Sequence, residues 1–194
     1  MEGLAGVKGL TCAFTGHRPS GFHFGYQEAH PDCVRLRRRL AEEVLELAEN
    51  GVTTFLTGMA QGTDLWGAEA VLALRQQFPA LRLVAVIPCR TQPSRWSAAV
   101  RTRYFRILEQ CDEAVCLSEA CTRTCMHVRN RWLVEHADVL LAVYNGVRSG
   151  GTAYTVQYAL TRKKQVRILD PVTLQRTVLP GRLQTGAQGL PLPE

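Results

Sequence analysis

The chain predicts an α/β fold: a single Rossmann-like domain, with a mostly parallel sheet and helices on both faces. Three observations carry this expectation. Short apolar, partly β-branched runs alternate with longer segments of helical periodicity along the 194 residues. Glycine turns follow the first, second and fifth of these runs. No linker, repeat or low-complexity segment interrupts the alternation between residues 10 and 179. Residues 1–9 read as an N-terminal extension. Residues 180–194, rich in Gly and Pro without periodicity, read as a flexible tail.

Each element has its own signal. Leu10 to Thr15 is a short apolar strand running into Gly16-His17-Arg18-Pro19, and Ser20 to Pro31 reads as a loop. Asp32 is placed to cap the next helix, whose stripe comprises Val34, Leu36, Leu40, Val44, Leu45, Leu47 and Ala48. Asn50-Gly51 ends that helix. Val52 to Thr57 is the second strand, Gly58 to Asp64 its turn, and Leu65 to about Phe78 a helix. Leu81 to Ile87 is the third strand, stopped by Pro88, and Pro93 to Gln110 reads as a helix. Glu113 to Leu117 is the fourth strand, with Cys116 expected in the core. A polar helix around Cys125 to His136 precedes the fifth strand, Val139 to Tyr144. Thr152 to Thr161 is the last helix and Val166 to Leu169 the sixth strand. Val172 to Leu179 reads as an antiparallel edge strand.

Composition bounds the function classes. Hydrophobic residues make up 46% and charged residues 21%, as in ordinary globular chains. No apolar run reaches the roughly eighteen residues of a transmembrane helix, and the N-terminal residues lack a signal-peptide pattern, so the expectation is a cytoplasmic protein without membrane association. A net charge of +6 suits an anionic ligand and equally a solvated helix face. Seven cysteines cannot all pair within one chain. Cys111, Cys116, Cys121 and Cys125 lie close in sequence, but without the close-set pairs of structural zinc sites, so no metal is expected. No cofactor is expected either.

The glycine turns are the candidate site. Amides at a helix N-terminus lack intrahelical acceptors and carry partial positive charge, and glycine lets a ligand approach the backbone. Gly150, Gly151 and Thr152 fit this pattern directly after a strand. Gly58, Gly62 and Asp64 repeat it after the second strand, with Asp64 a helix cap or a ribose acceptor. Thr15, Gly16, His17 and Arg18 follow the first strand, where Arg18 can contact phosphate bidentately. Three open turns on one sheet edge point to a nucleotide-like ligand.

Taken with Arg129 and Asn130, these motifs resemble the YspA/YpsA-type branch of the SLOG superfamily, from about Leu10 to Leu169. The resemblance implies a Rossmann-like fold and a nucleotide or nucleotide-derived ligand. Met126-His127-Val128-Arg129-Asn130 is similar to the Met-His-x-Arg-Lys segment of the Lonely Guy phosphoribohydrolases, and Gly150-Gly151-Thr152 to their Pro-Gly-Gly-x-Gly-Thr-x-x-Glu. Thr155 stands where that catalytic Glu would fall, and no carboxylate lies between Thr152 and Arg162.

The leading expectation is therefore a nucleotide-binding sensor or regulator. A hydrolase or transferase acting on a nucleotide N-glycosidic bond is the alternative, with Asp64 and Arg129 as catalytic candidates and Glu69 as a further carboxylate. Single-stranded DNA binding is a second alternative, held the less favoured because Arg101, Arg103, Tyr104, Phe105 and Arg106 point around several sides of a helix. Tyr154 and Tyr158, four residues apart, could pack against a second subunit in a homodimer. Trp96 and Trp132 are read as core or interface residues.

Overall fold

A computed structural model describes residues 9–181. The expected N-terminal extension and C-terminal tail fall almost wholly outside the described residues. The strands are β1 (Leu10–Gly16), β2 (Val52–Thr57), β3 (Arg82–Ile87), β4 (Glu113–Cys116), β5 (Val139–Val143), β6 (Gln165–Leu169) and β7 (Arg176–Leu179). The helices are α1 (Pro31–Glu49), α2 (Thr63–Leu74), α3 (Ala98–Leu108), α4 (Cys125–Glu135) and α5 (Gly150–Thr161). One seven-stranded sheet runs β4-β3-β2-β1-β5-β6-β7. All pairings are parallel except β6 with β7. The architecture is the Rossmann-like α/β fold that the alternating pattern predicts.

Two cores, one on each face of the sheet, explain the alternation. Cys12 and Phe14 of β1, Leu141 and Val143 of β5, and apolar residues of α1, α2 and α3 make one. Ala13, Leu140 and Ala142 of the same strands meet Leu133 and Val134 of α4 and Val156 and Ala159 of α5 in the other. Because β5 is covered on both sides, all five of its residues are buried. Its sequence is accordingly continuous rather than alternating. A fully buried Leu or Phe contributes about 1.5–3 kcal/mol by leaving water.

Several boundaries move. Helix α1 begins at Pro31, and the His30 ring, not Asp32, caps it by accepting the Asp32 amide. Helix α3 begins only at Ala98, after Ser97, whose hydroxyl oxygen accepts the Val100 amide. Cys116 is exposed rather than in the core, because β4 is an edge strand. Trp96 is half-buried against Tyr104, and Trp132 packs on the second core.

The chain winds outward from β1 to β4, then returns to place β5 beside β1. Strand order therefore reverses between β1 and β5. The loops leaving these two strands diverge there, opening a crevice at their carboxyl ends.

Candidate ligand-binding site

A cavity of about 320 Å³ occupies that crevice. The loop after β1 contributes Thr15, Gly16, His17 and Arg18; α2 contributes Asp64; α4 contributes Met126, Arg129 and Asn130; α5 contributes Gly151 and Thr152. Nine of the twelve sequence-nominated residues thus share one cavity, while Gly58, Gly62 and Gly150 do not line it. Phe14, Ser20, Gly21, Ala60 and Met126 also line it, beyond the residues the turns point to.

The second turn departs from the expected open cradle. Arg129 Nη1 donates to Asp64 Oδ2 at 3.0 Å, with both side chains buried. The same carboxylate oxygen accepts the Ala60 amide at 3.2 Å. A Cβ on Gly58 would meet Arg129 Nη1 at 1.2 Å, so this glycine makes room for the guanidinium, not for a ligand. Gly62, at φ +89°, lets the chain pass the His17 carbonyl oxygen. The turn is filled by the protein's own ion pair because Asp64, in the first turn of α2, draws Arg129 across from α4. Burial pushes the Asp64 carboxyl up and the Arg129 guanidinium down. Their mutual attraction opposes both shifts.

The first turn stays open. Arg18 is exposed and makes no ion pair among the described residues. His17 Nε2 lies 2.9 Å from Asn145 Oδ1, across from the end of β5, and the ring packs edge-on against Phe22. Thr63 Oγ1 donates to the His17 carbonyl oxygen at 3.3 Å, tying the turn to α2. Thr63 lies within the Gly58 to Asp64 turn, whereas Asn145 carries no motif of its own and only the fold reveals it.

The third turn is also open. Ser149 stands at the N-cap of α5 without a side-chain cap, so the amides of Gly151 and Thr152 keep their donors toward the cavity edge. Behind them, Asn130 Nδ2 donates to Thr155 Oγ1 at 2.8 Å, and Thr155 Oγ1 donates to the Gly151 carbonyl oxygen at 2.7 Å. Thr155 is fully buried. Thr155 thus fastens α4 to the start of α5.

The comparisons with known proteins agree with this architecture. The model of the YspA SLOG family matches residues 12–174. A UPF0398 protein of Halalkalibacterium halodurans is 28% identical over 156 residues, covering 77% of this chain and 82% of the relative. Another, from Bacillus pumilus, is 29% identical over 150 residues, covering 76% and 80%. DNA processing protein A from Helicobacter pylori, a solved structure described by its single-stranded DNA binding mode, is similar with a TM-score of 0.56 at 17% identity. The match covers 83% of this chain and 65% of that one. The structural-genomics target TM1055 gives a TM-score of 0.50 at 18% identity, over 81% and 72%. At these identities the solved structures share the fold alone. No helix among the described residues is long and apolar enough to cross a membrane.

Proposed function

The chain belongs to the YspA SLOG family, and from that premise we propose that the β1/β5 cavity binds a nucleotide or nucleotide-derived ligand as a sensor or regulator. One observation carries the reading: an exposed Arg18, with no ion-pair partner among the described residues, and the start of α5, which has no side-chain cap among them, border the same cavity. Together they offer a guanidinium and free amides to a phosphate. On the inner side, Asp64 and the side-chain oxygen of Asn130, which accepts no hydrogen bond among the described residues, are placed for ribose or base hydroxyls and amines. About 320 Å³ lies at the small end of ligand pockets, which suits a mononucleotide-sized group.

Binding is favoured over turnover. Asp64 Oδ2 is already held by Arg129 and the Ala60 amide, and Glu69 is held by Arg103 in an ion pair away from the cavity. Glu69 is therefore turned away from any bound ligand, and Asp64 keeps only Oδ1 for a ligand hydroxyl. The test is a thermal-shift screen of the full chain against nucleoside mono-, di- and triphosphates and ADP-ribose. A ligand at a hundred times its Kd adds about 2.7 kcal/mol of stability. A flat response to the whole panel overturns the reading. Release of free base from any of them would establish the hydrolase alternative instead.

A second reading, single-stranded DNA binding, has its own observation. Helix α3 does not carry it: Arg103 is locked to Glu28 and Glu69, and Tyr104 is buried. On α4 and α5, however, Tyr154 and Tyr158 stack in parallel, with Arg131 over both rings and Arg162 over Tyr158. Guanidinium and aromatic groups in alternation can take unstacked bases. Fluorescence anisotropy with an oligonucleotide at two salt concentrations, in wild type and Arg131→Ala, decides this reading.

A further inference from the structure

The fold assembles a thiol cluster that the sequence spacing conceals. Cys89 follows β3, Cys121 lies in the loop after β4, and Cys125 opens α4. Their three sulfur atoms lie within 4.8 Å of one another. Zinc–thiolate bonds of about 2.3 Å in a tetrahedron put the sulfurs about 3.8 Å apart, a spacing the three side chains reach by rotation once the Cys89–Cys121 bond is reduced. Cys89 and Cys125 are buried and Cys121 is exposed, so the cluster reaches the surface at Cys121. The Thr91 hydroxyl donates to the sulfurs of Cys121, at 3.5 Å, and Cys89, at 3.9 Å. That is the kind of outer partner that orients thiolate ligands. The N-terminus of α4 adds partial positive charge beside Cys125, offsetting the net negative charge of three thiolates on one dication.

We propose that Cys89, Cys121 and Cys125 form a three-thiolate site for a soft divalent cation of the Zn²⁺ type. Cys89 and Cys121 are joined as a disulfide in this structure, with Cα atoms 5.2 Å apart. That is the oxidised form of the same site. A phosphine attacks the disulfide and gives up two electrons, and one water supplies the oxygen of the phosphine oxide and the two protons of the resulting thiols. The three thiols then release three protons as they take the cation. Cys125 lies one helical turn before Arg129, so the bound cation fixes the first turn of the helix that lines the cavity. The proposal does not depend on what the cavity binds. Cys111 and Cys116 take no part: their thiols donate to the carbonyl oxygens of Ile107 and Ser118.

Co²⁺ titration of the full chain, reduced with a phosphine and monitored by absorbance, tests the site. The expected result is one Co²⁺ per chain, with sulfur-to-metal charge-transfer absorption that Zn²⁺ abolishes by displacement. Cys121→Ser, at an exposed position the fold tolerates, and Cys125→Ser should each weaken binding on the order of tenfold or more, while Cys116→Ser should not. Circular dichroism of each variant separates a lost ligand from a lost fold. Absence of charge-transfer absorption in the reduced wild type, or undiminished binding by Cys121→Ser, overturns the proposal. So does a Cys89–Cys121 pair that stays oxidised under the phosphine.

Discussion

Arg129 of α4 reaches across to Asp64 of α2, 65 positions away in sequence, and lays its guanidinium on the backbone of Gly58. Removing one partner leaves the other as an uncompensated buried charge. Arg129→Met should therefore cost about 3–5 kcal/mol of stability by chemical denaturation. The double variant Asp64→Asn, Arg129→Met should lose less than the two single losses combined. Gly58→Ala should destabilise strongly beside Arg129 and less in the Arg129→Met background, since the severest clash goes with the guanidinium and only the contact with Asp64 Oδ2 at 2.7 Å remains. Additive losses across these pairs would show that the three residues do not act together.

Arg18 separates binding from folding. The side chain is exposed and has no ion-pair partner among the described residues, so Arg18→Ala should change stability by no more than about 0.5 kcal/mol. If it meets the ligand's phosphate, affinity for any nucleotide that stabilises the wild type should fall about tenfold or more, consistent with a charge-assisted bond. Thermal denaturation with and without nucleotide measures both quantities on one sample.

The two glycines at the start of α5 should behave differently. A Cβ on Gly151 would approach only Asn130 Nδ2, at 3.9 Å, and the residue is helical. Gly151→Ala should leave stability unchanged or raise it by up to about 1 kcal/mol through helix propensity, while narrowing the cavity and weakening nucleotide binding. Gly150 has φ +89°, so Gly150→Ala should cost about 1 kcal/mol or more from backbone strain. Equal effects on stability would contradict this assignment.

Most of the sheet is legible because its central strands β1, β2, β3 and β5 are short, largely apolar runs. Val139–Val143 is buried along its whole length and reads as such. Helix starts were less legible. Pro93 resembles a first helical residue, yet Ser97 is the residue whose side chain caps α3. At the site, the short-range motifs Thr15 to Arg18 and Gly150 to Thr152 carried their own positions. The filling of the second turn by Arg129 was not readable, because the partners come from separate helices and only the strand order β2-β1-β5 brings them together. For the same reason Cys89 was not grouped with Cys121, 32 residues later.

Acid should act through the loop that borders the cavity. Glu28 accepts hydrogen bonds from Trp66 Nε1 at 2.9 Å and Arg103 Nη1 at 2.6 Å, pinning the stretch between β1 and α1 onto α2 and α3. Burial pushes its carboxyl up, but the bonds from Arg103 and Trp66 outweigh this and hold it below the usual range. A depressed carboxylate stabilises the fold above its ordinary value of about pH 4.3 and loses that contribution as pH falls through the depressed value. Stability should therefore decline below about pH 4.3. Glu28→Gln should be less stable than wild type at neutral pH and should flatten that decline. An unchanged acid slope in the variant would assign the loss to other carboxylates.

Restoring a carboxylate at Thr155 tests whether the difference from the Lonely Guy pattern is one residue deep. Thr155 is fully buried, receives the Asn130 amide and donates to the Gly151 carbonyl oxygen, so no space faces the ligand. A glutamate there lengthens the side chain by two heavy atoms and exchanges a donor for an anion opposite a carbonyl oxygen. Overpacking alone typically costs about 1–3 kcal/mol, and an unpaired buried polar group adds a comparable amount. Thr155→Glu should therefore lower the melting temperature and release no base from nucleoside monophosphates. The milder Thr155→Ser should keep both hydrogen bonds and lose about 1 kcal/mol for one methyl group. If Thr155→Glu instead folds at wild-type stability and cleaves an N-glycosidic bond, the cavity already holds every other catalytic group, and the regulator reading gives way to an enzyme that has lost its acid.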